Sequence, residues 1–136
     1  MNREILFKAK RIDNEEWVEG YYFCAGGKYM ILNFTEKKCE LYHNMYEVQA
    51  DTLCQYTGLN DKNGKKIWEN DIVNCYESEC FGVIKWEEDE ARFIFDIVLE
   101  DLAFEPEDVY DYIDDMEVVG NIFDNSELLK EGAENE

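Results

Sequence analysis

The stretch Gln55–Val73, QYTGLNDKNGKKIWENDIV, crowds Asp61, Asn63, Gly64, Glu69 and Asn70 into an order close to that of a metal-binding loop. An EF-hand calcium loop sets an acidic or amide ligand at its first position, Gly at its sixth and a bidentate Glu at its twelfth. With Gly64 at the sixth position, Leu59 falls at the first and Asn70 at the twelfth, and neither is the ligand required. Asp61 and Asn63 match the third and fifth positions, but Asp and Asn are equally the residues of turns. The stretch therefore reads as hairpin and turn. Asn63-Gly64 predicts a type I′ turn with φ > 0 at both central positions.

Outward from this stretch the chain has an all-β rhythm: short runs rich in Ile, Val, Tyr, Phe and Trp, separated by turn residues. Strands are expected over Glu4–Ile12, Trp17–Cys24, Lys28–Phe34 and, extended but less regular, Leu41–Gln49. DNEE (13–16) and AGG (25–27) turn the chain between them, and ADTL (50–53) suits a single helical turn. Beyond it, ENDIVNCYE carries a turn into a strand, and FGVIKWEE and ARFIFDIV form a hairpin around the acidic tip Glu87–Glu90. Glu105–Met116 predicts a helix: Pro106 suits the first position, Glu107 and Asp108 favour the positive end of the dipole, and Val109, Tyr112, Ile113 and Met116 share a face. A strand over EVVGNIF and a short terminal helix, with Asn125 or Ser126 as N-cap, complete the chain.

The 136 residues suit one domain or two small lobes, long enough to bury about two-thirds of the unfolded surface. With 46% hydrophobic and 15% aromatic residues the chain is not a disordered one. The net charge of −20 is unevenly held. Residues 1–66 carry ten Lys/Arg and ten Asp/Glu, whereas residues 67–136 carry three (Lys85, Arg92, Lys130) against 23. Such a surface repels phosphate, so direct nucleic-acid binding is not expected, while basic partners are attracted. The plain alternative is a solvated acidic surface. No apolar run approaches the roughly 18 residues of a membrane span. Five Cys, an odd number without CxxC, and an N-terminus lacking an apolar signal core point to buried thiols in a reducing cytoplasm.

No reactive constellation stands out. His43 is the single His, and neither it nor Cys24, Cys39, Cys54, Cys75 and Cys80 has the spacing of a zinc site or a nucleophile–base pair. Carboxylate pairs abound, but they read as hairpin-tip and helix-surface charges rather than as a cleft pair with separated pKa values. Gly26-Gly27 is an ordinary turn pair, not a phosphate loop. Trp17, Trp68, Trp86, Tyr21, Tyr22 and Tyr56 suit a core better than a ligand platform. No catalytic residue, metal or cofactor is expected.

VQADTLCQYTGLNDKNGKKIWENDIV (Val48–Val73), GVIKW (Gly82–Trp86), EVVGNIFDNSELL (Glu117–Leu129) and the opening FKAKRIDNEEWVEGYYF (Phe7–Phe23) together resemble the YopX family of bacteriophage and prophage proteins. The family pattern usually has Gly where Asn70 stands, and Asn is the next best residue at positive φ. It often has Ile at position 119 and Pro at position 126, where this chain has Val and Ser. The resemblance implies a small SH3-type β-barrel for the second half, which the short strands over 54–123 suit. The expected organisation is a β-rich region over 1–49, the barrel over 50–123 with the helix near 105–116, and a short helix with acidic tail over 124–136. The resemblance carries no catalytic residues. It implies a phage-encoded protein of the bacterial cytoplasm.

The reading this supports is a non-catalytic protein-binding module meeting a basic surface of a host or phage protein. The candidate surface is Glu87, Glu88, Asp89, Glu90, Asp111, Asp114 and Asp115. A nucleic-acid mimic occupying a DNA-binding protein is one alternative. A homo-oligomeric assembly component, with self-association through aromatics and strand edges, is the other.

Overall fold

The computed structural model describes residues 4–33, 44–75, 80–89, 91–97, 107–108 and 115–129. The fold is mainly β, and every strand pairing among these residues is antiparallel. Contacts divide the chain into two compact units, residues 1–56 and 57–136.

In the first unit the strands are β1 (Phe7–Lys10), β2 (Trp17–Ala25), β3 (Lys28–Leu32) and β4 (Met45–Glu47), in the spatial order β4-β3-β2-β1. The start of β5 (Cys54–Asn60) pairs on the far side of β1, with Cys54 opposite Lys8 and Gln55 opposite Phe7. Gly26 and Gly27 lie between the paired Ala25 and Lys28 with φ of 58° and 77°. Both signs are those of a type I′ turn, whose twist matches that of the strands it joins. Side chains alternate across the sheet, so Ala9, Val18 and Ile31 fall on one face, where they form a buried core with Val48. The expected helical turn is a 3₁₀ turn, Ala50–Thr52.

The chain beyond β4 then returns to the chain beyond β1. The Ile12 N–H donates to the Glu47 carbonyl (3.0 Å), the Gln49 N–H donates to the Lys10 carbonyl (2.8 Å), and Arg11 bridges Val48. The Thr52 hydroxyl secures this closure: it accepts from the Lys10 N–H at 2.8 Å and donates to the Gln49 carbonyl at 2.7 Å.

In the second unit the end of β5 neighbours β6 (Lys66–Trp68). A five-stranded sheet follows: β7 (Asp71–Cys75), β8 (Cys80–Glu87), β9 (Arg92–Ile97), β10 (Glu107–Asp108) and β11 (Met116–Asn121), in the order β10-β9-β8-β7-β11. Ile67, Val73, Ile84, Phe95, Met116 and Val118 form its core, with Leu59 and Phe93 against it. Burying a side chain such as Ile84 or Phe95 contributes about 1.5–3 kcal/mol. Gly82 is fixed by this core, because a Cβ there would run into the ring of Phe95. Ile72, Val83 and Ile94 point to the opposite face and are also buried. Among the described residues no pairing joins β10 to β11.

Two expectations change here. The helix over Glu105–Met116 is not found where the structure describes that segment. Glu107 and Asp108 pair with Phe95 and Ile94 as β10, and Met116 opens β11. At Glu107 and Asp108 pairing to β9 takes the place of the expected helix start, as sheet contacts commonly outweigh local propensity. The rest of that helix, 105–106 and 109–114, lies outside the described residues. The short terminal helix is present at 127–129, but the Asn125 side chain does not cap it. The Asn125 Oδ1 accepts instead from the Asn121 N–H at 3.1 Å. Among the described residues no helix is long and apolar enough to cross a membrane.

Candidate functional site

The predicted acidic surface resolves into parts. Glu87 stands opposite Arg92 at the end of the β8–β9 ladder and is half-buried. Glu88 and Asp89 are exposed in the turn beyond it, which the Ala91 N–H closes on the Glu88 carbonyl at 3.3 Å. Ala91 takes φ of 51°, an unusual value for a residue with a Cβ. Asp115 is half-buried just before β11. Thus Glu87, Glu88 and Asp89 share one hairpin tip and Asp115 belongs to another strand end. Glu90, Asp111 and Asp114 lie outside the described residues.

The same hairpin presents Trp86, 42% exposed and edge-on to Phe93 with centroids 5.0 Å apart. Lys85 and Asp96 form an exposed ion pair at 2.9 Å. Of the other aromatics singled out in the sequence, Trp68 and Tyr56 are buried, Trp17 and Tyr22 are half-buried, and Tyr21 is exposed. The ammonium groups of Lys8 and Lys10 sit 4.6 and 5.6 Å from the Trp17 ring. Arg11 lies 4.2 Å over Tyr46 and pairs with Asp13, beside a groove of about 200 Å³ lined also by Ile12, Met45 and Glu47.

The cysteines that can be placed are ordinary. Cys54 is buried and its thiol donates to the Thr52 carbonyl. Cys24 is exposed, 3.1 Å from the Tyr22 hydroxyl. That hydrogen bond, with some burial, pushes Tyr22 up to about 12. His43 and Cys39 lie outside the described residues, so no Cys–His pairing is described. Among the described residues no three His, Cys, Asp or Glu side chains gather as metal ligands do.

The stretch that resembles a calcium loop has a different chemistry. The Asp61 carboxylate is buried and turned inward. Its Oδ1 accepts from the N–H groups of Asn63 and Lys65, and its Oδ2 from the N–H of Val118, each at 2.9 Å. Burial alone would raise the carboxyl, but the Val118, Lys65 and Asn63 donors outweigh it and hold Asp61 below its ordinary 3.8. The turn is not type I′. Only Gly64 has positive φ, at 82°, and Asn63 does not. The Gly64 N–H bonds the Asp61 carbonyl (2.9 Å) and the Asp61 N–H bonds the Lys65 carbonyl (2.7 Å). This is a type I turn followed by a left-handed glycine, the three-residue hairpin loop.

A second carboxylate repeats the device. Asp71, 2% exposed, accepts the Trp68 N–H on Oδ2 at 2.8 Å. Asn70 between them has φ of 72°, the positive value expected of it. Its N–H donates to the Ile84 carbonyl (2.7 Å) and its carbonyl accepts from the Ile122 N–H (3.0 Å). Asp61 of NDKNG and Asp71 of ENDIV are therefore structural acceptors. The reach from Asp61 to Val118 spans 57 residues and has no local signature in the sequence.

A family model described as YopX protein matches residues 6–130. A search among curated proteins found no match. The crystal structure of protein EF1440 from Enterococcus faecalis is similar, with a TM-score of 0.56 and 25% identity, over 94% of this chain and 99% of that one.

Proposed function

The chain belongs to the YopX protein family, and from that premise we propose that it is a non-catalytic module that binds a basic surface of another protein. The setting is the phage or prophage one that the family resemblance implies, in the cytoplasm of a bacterial host. The supporting observation is the charge division: 23 acidic against three basic side chains over residues 67–136. The exposed Glu88 and Asp89, with Glu87, mark where this charge meets solvent on a fixed turn. Glu90, Asp111, Asp114 and Asp115 complete the proposed surface. A field of one sign speeds encounter with the opposite sign and weakens with salt. The strands from Cys54 onward are read as part of a small SH3-type barrel, a reading supported by their antiparallel succession and tight turns.

The test is retention of host proteins on immobilised protein after nuclease treatment, compared with a Glu87→Lys, Glu88→Lys, Asp89→Lys variant. Partners kept by the native chain, released at moderate salt and lost with the variant support the reading. Identical retention by both proteins overturns it. A DNA-binding protein as the partner lost would sharpen the reading to nucleic-acid mimicry.

A further inference from the structure

Among the described residues β11 is the outermost strand of the second unit's sheet, and an outermost strand presents main-chain donors and acceptors to any strand that arrives. In an antiparallel ladder these groups alternate between the two sides of the strand. Two of them, at Met116 and Val118, are met by residues of the Asp61–Gly64 turn. The Met116 carbonyl accepts from the Lys62 N–H at 3.0 Å, and the Val118 N–H donates to the Asp61 carboxylate at 2.9 Å. One donor and one acceptor, two residues apart, are met by one acceptor and one donor on adjacent residues. Asp61 and Lys62 thus stand where a neighbouring strand would stand, with a side-chain oxygen in place of its carbonyl. Further along, the Asn121 N–H is held by Asn125 Oδ1, and a bulge between Val118 and Gly120 breaks the register.

We propose that the outer edge of β11 is a latent strand-pairing surface which the Asp61–Gly64 turn keeps closed, and that its partner when open is the same edge of a second copy of this chain. The partner follows from the geometry. A strand offering Met116 C=O and Val118 N–H offers the same pair to its own antiparallel image across a two-fold axis, so the edge is self-complementary. The flanking charge opposes that contact, because a second copy brings a second acidic half. The buried carboxylate is the part of the guard that one substitution can remove. This inference is independent of the acidic-surface reading, since it rests on the bonds that Asp61 and Lys62 make to β11.

Two variants test it. Asp61→Asn keeps the shape and two acceptor bonds but turns an amide N–H₂ toward one of the three donors. Asp61→Ala removes all three acceptor bonds. Each is followed by light scattering from micromolar to millimolar concentration, in low and high salt, with amide hydrogen exchange at Met116–Asn121. The expected result is a folded variant whose apparent mass doubles with concentration, more readily in high salt, and whose Val118 amide is protected in the dimer but not in the monomer. A folded Asp61→Asn protein that stays monomeric at all concentrations and salts, with Val118 freely exchanging, overturns the proposal. So does a dimer whose protected amides lie elsewhere. Should Asp61→Ala fail to fold, the Asp61→Asn outcome decides alone.

Discussion

The two units hold their outer strands by different chemistry. In the first, the end of β4 is carried back to the end of β1 by main-chain bonds, and the side chain that secures the closure is a neutral hydroxyl, Thr52. In the second, β11 is held on its open side by a carboxylate, Asp61, and one N–H, that of Lys62. Main-chain closure survives almost any substitution and has no proton to gain. Closure by a buried carboxylate is strong, because hydrogen bonds to a charged acceptor exceed neutral ones, but it depends on one residue and on pH. The acidic half of the chain thus relies on a charged clasp and the near-neutral half does not.

The comparison breaks most visibly at Asp61. Replacing it with Ala leaves three N–H groups without their acceptor and should cost on the order of 3 kcal/mol. Urea unfolding followed by hydrogen exchange should show the loss at β11 and β7 and leave β1–β4 protection unchanged. Uniform loss across both units would mean that the units are not independent in this respect.

Acid should discriminate the same way. Asp61 has a folded value below 3.8, so the stability it contributes is complete above 3.8 and disappears as pH falls from there through its lower folded value. The β11 amides should lose protection in that window before those of β1–β4. The Asp61→Asn variant should be insensitive to it.

Next in size is Thr52→Val, which leaves the Lys10 N–H without its partner at an expected cost of about 1–2 kcal/mol, with no added acid sensitivity. Asn70→Ala should cost about 1 kcal/mol, the usual penalty of a Cβ residue other than Asn in the left-handed region, and Asn70→Gly should cost nearly nothing. Thermal midpoints of the two proteins would separate these outcomes. Smallest of all is Lys62→Ala. The Lys62 ammonium is 3.8 Å from Glu117, a half-exposed pair worth below about 0.5 kcal/mol, while its main-chain N–H is kept. A large effect there would move the clasp from the main chain to the side chain.

What the sequence disclosed follows the range of the interactions. The strands, the AGG turn and the positive φ of Asn70 rest on local preferences, and these are found. Family membership was legible in the quoted motifs. The type I′ turn at Asn63-Gly64 was not found, because Asp61 draws the Asn63 and Lys65 N–H groups to itself and favours a loop one residue longer. The helix near 105–116 gave way at Glu107–Asp108 to a short strand paired with β9. The acidic tip was found where expected, but composition alone could not say that Asp61 and Asp71 turn inward while Glu88 and Asp89 face water. The difference lies in which main-chain donors come within reach, and those of Val118 arrive from far along the chain.

That distance has a consequence for the order of assembly. The turn from Asp61 to Lys65 closes over four residues, an event of about microseconds. The contact from Asp61 to Val118 must wait for a loop of 57 residues to close, with β7, β8 and β9 between them. The carboxylate is therefore oriented by Asn63 and Lys65 before its third donor arrives. β11, the last strand among the described residues, would then dock against a template already set.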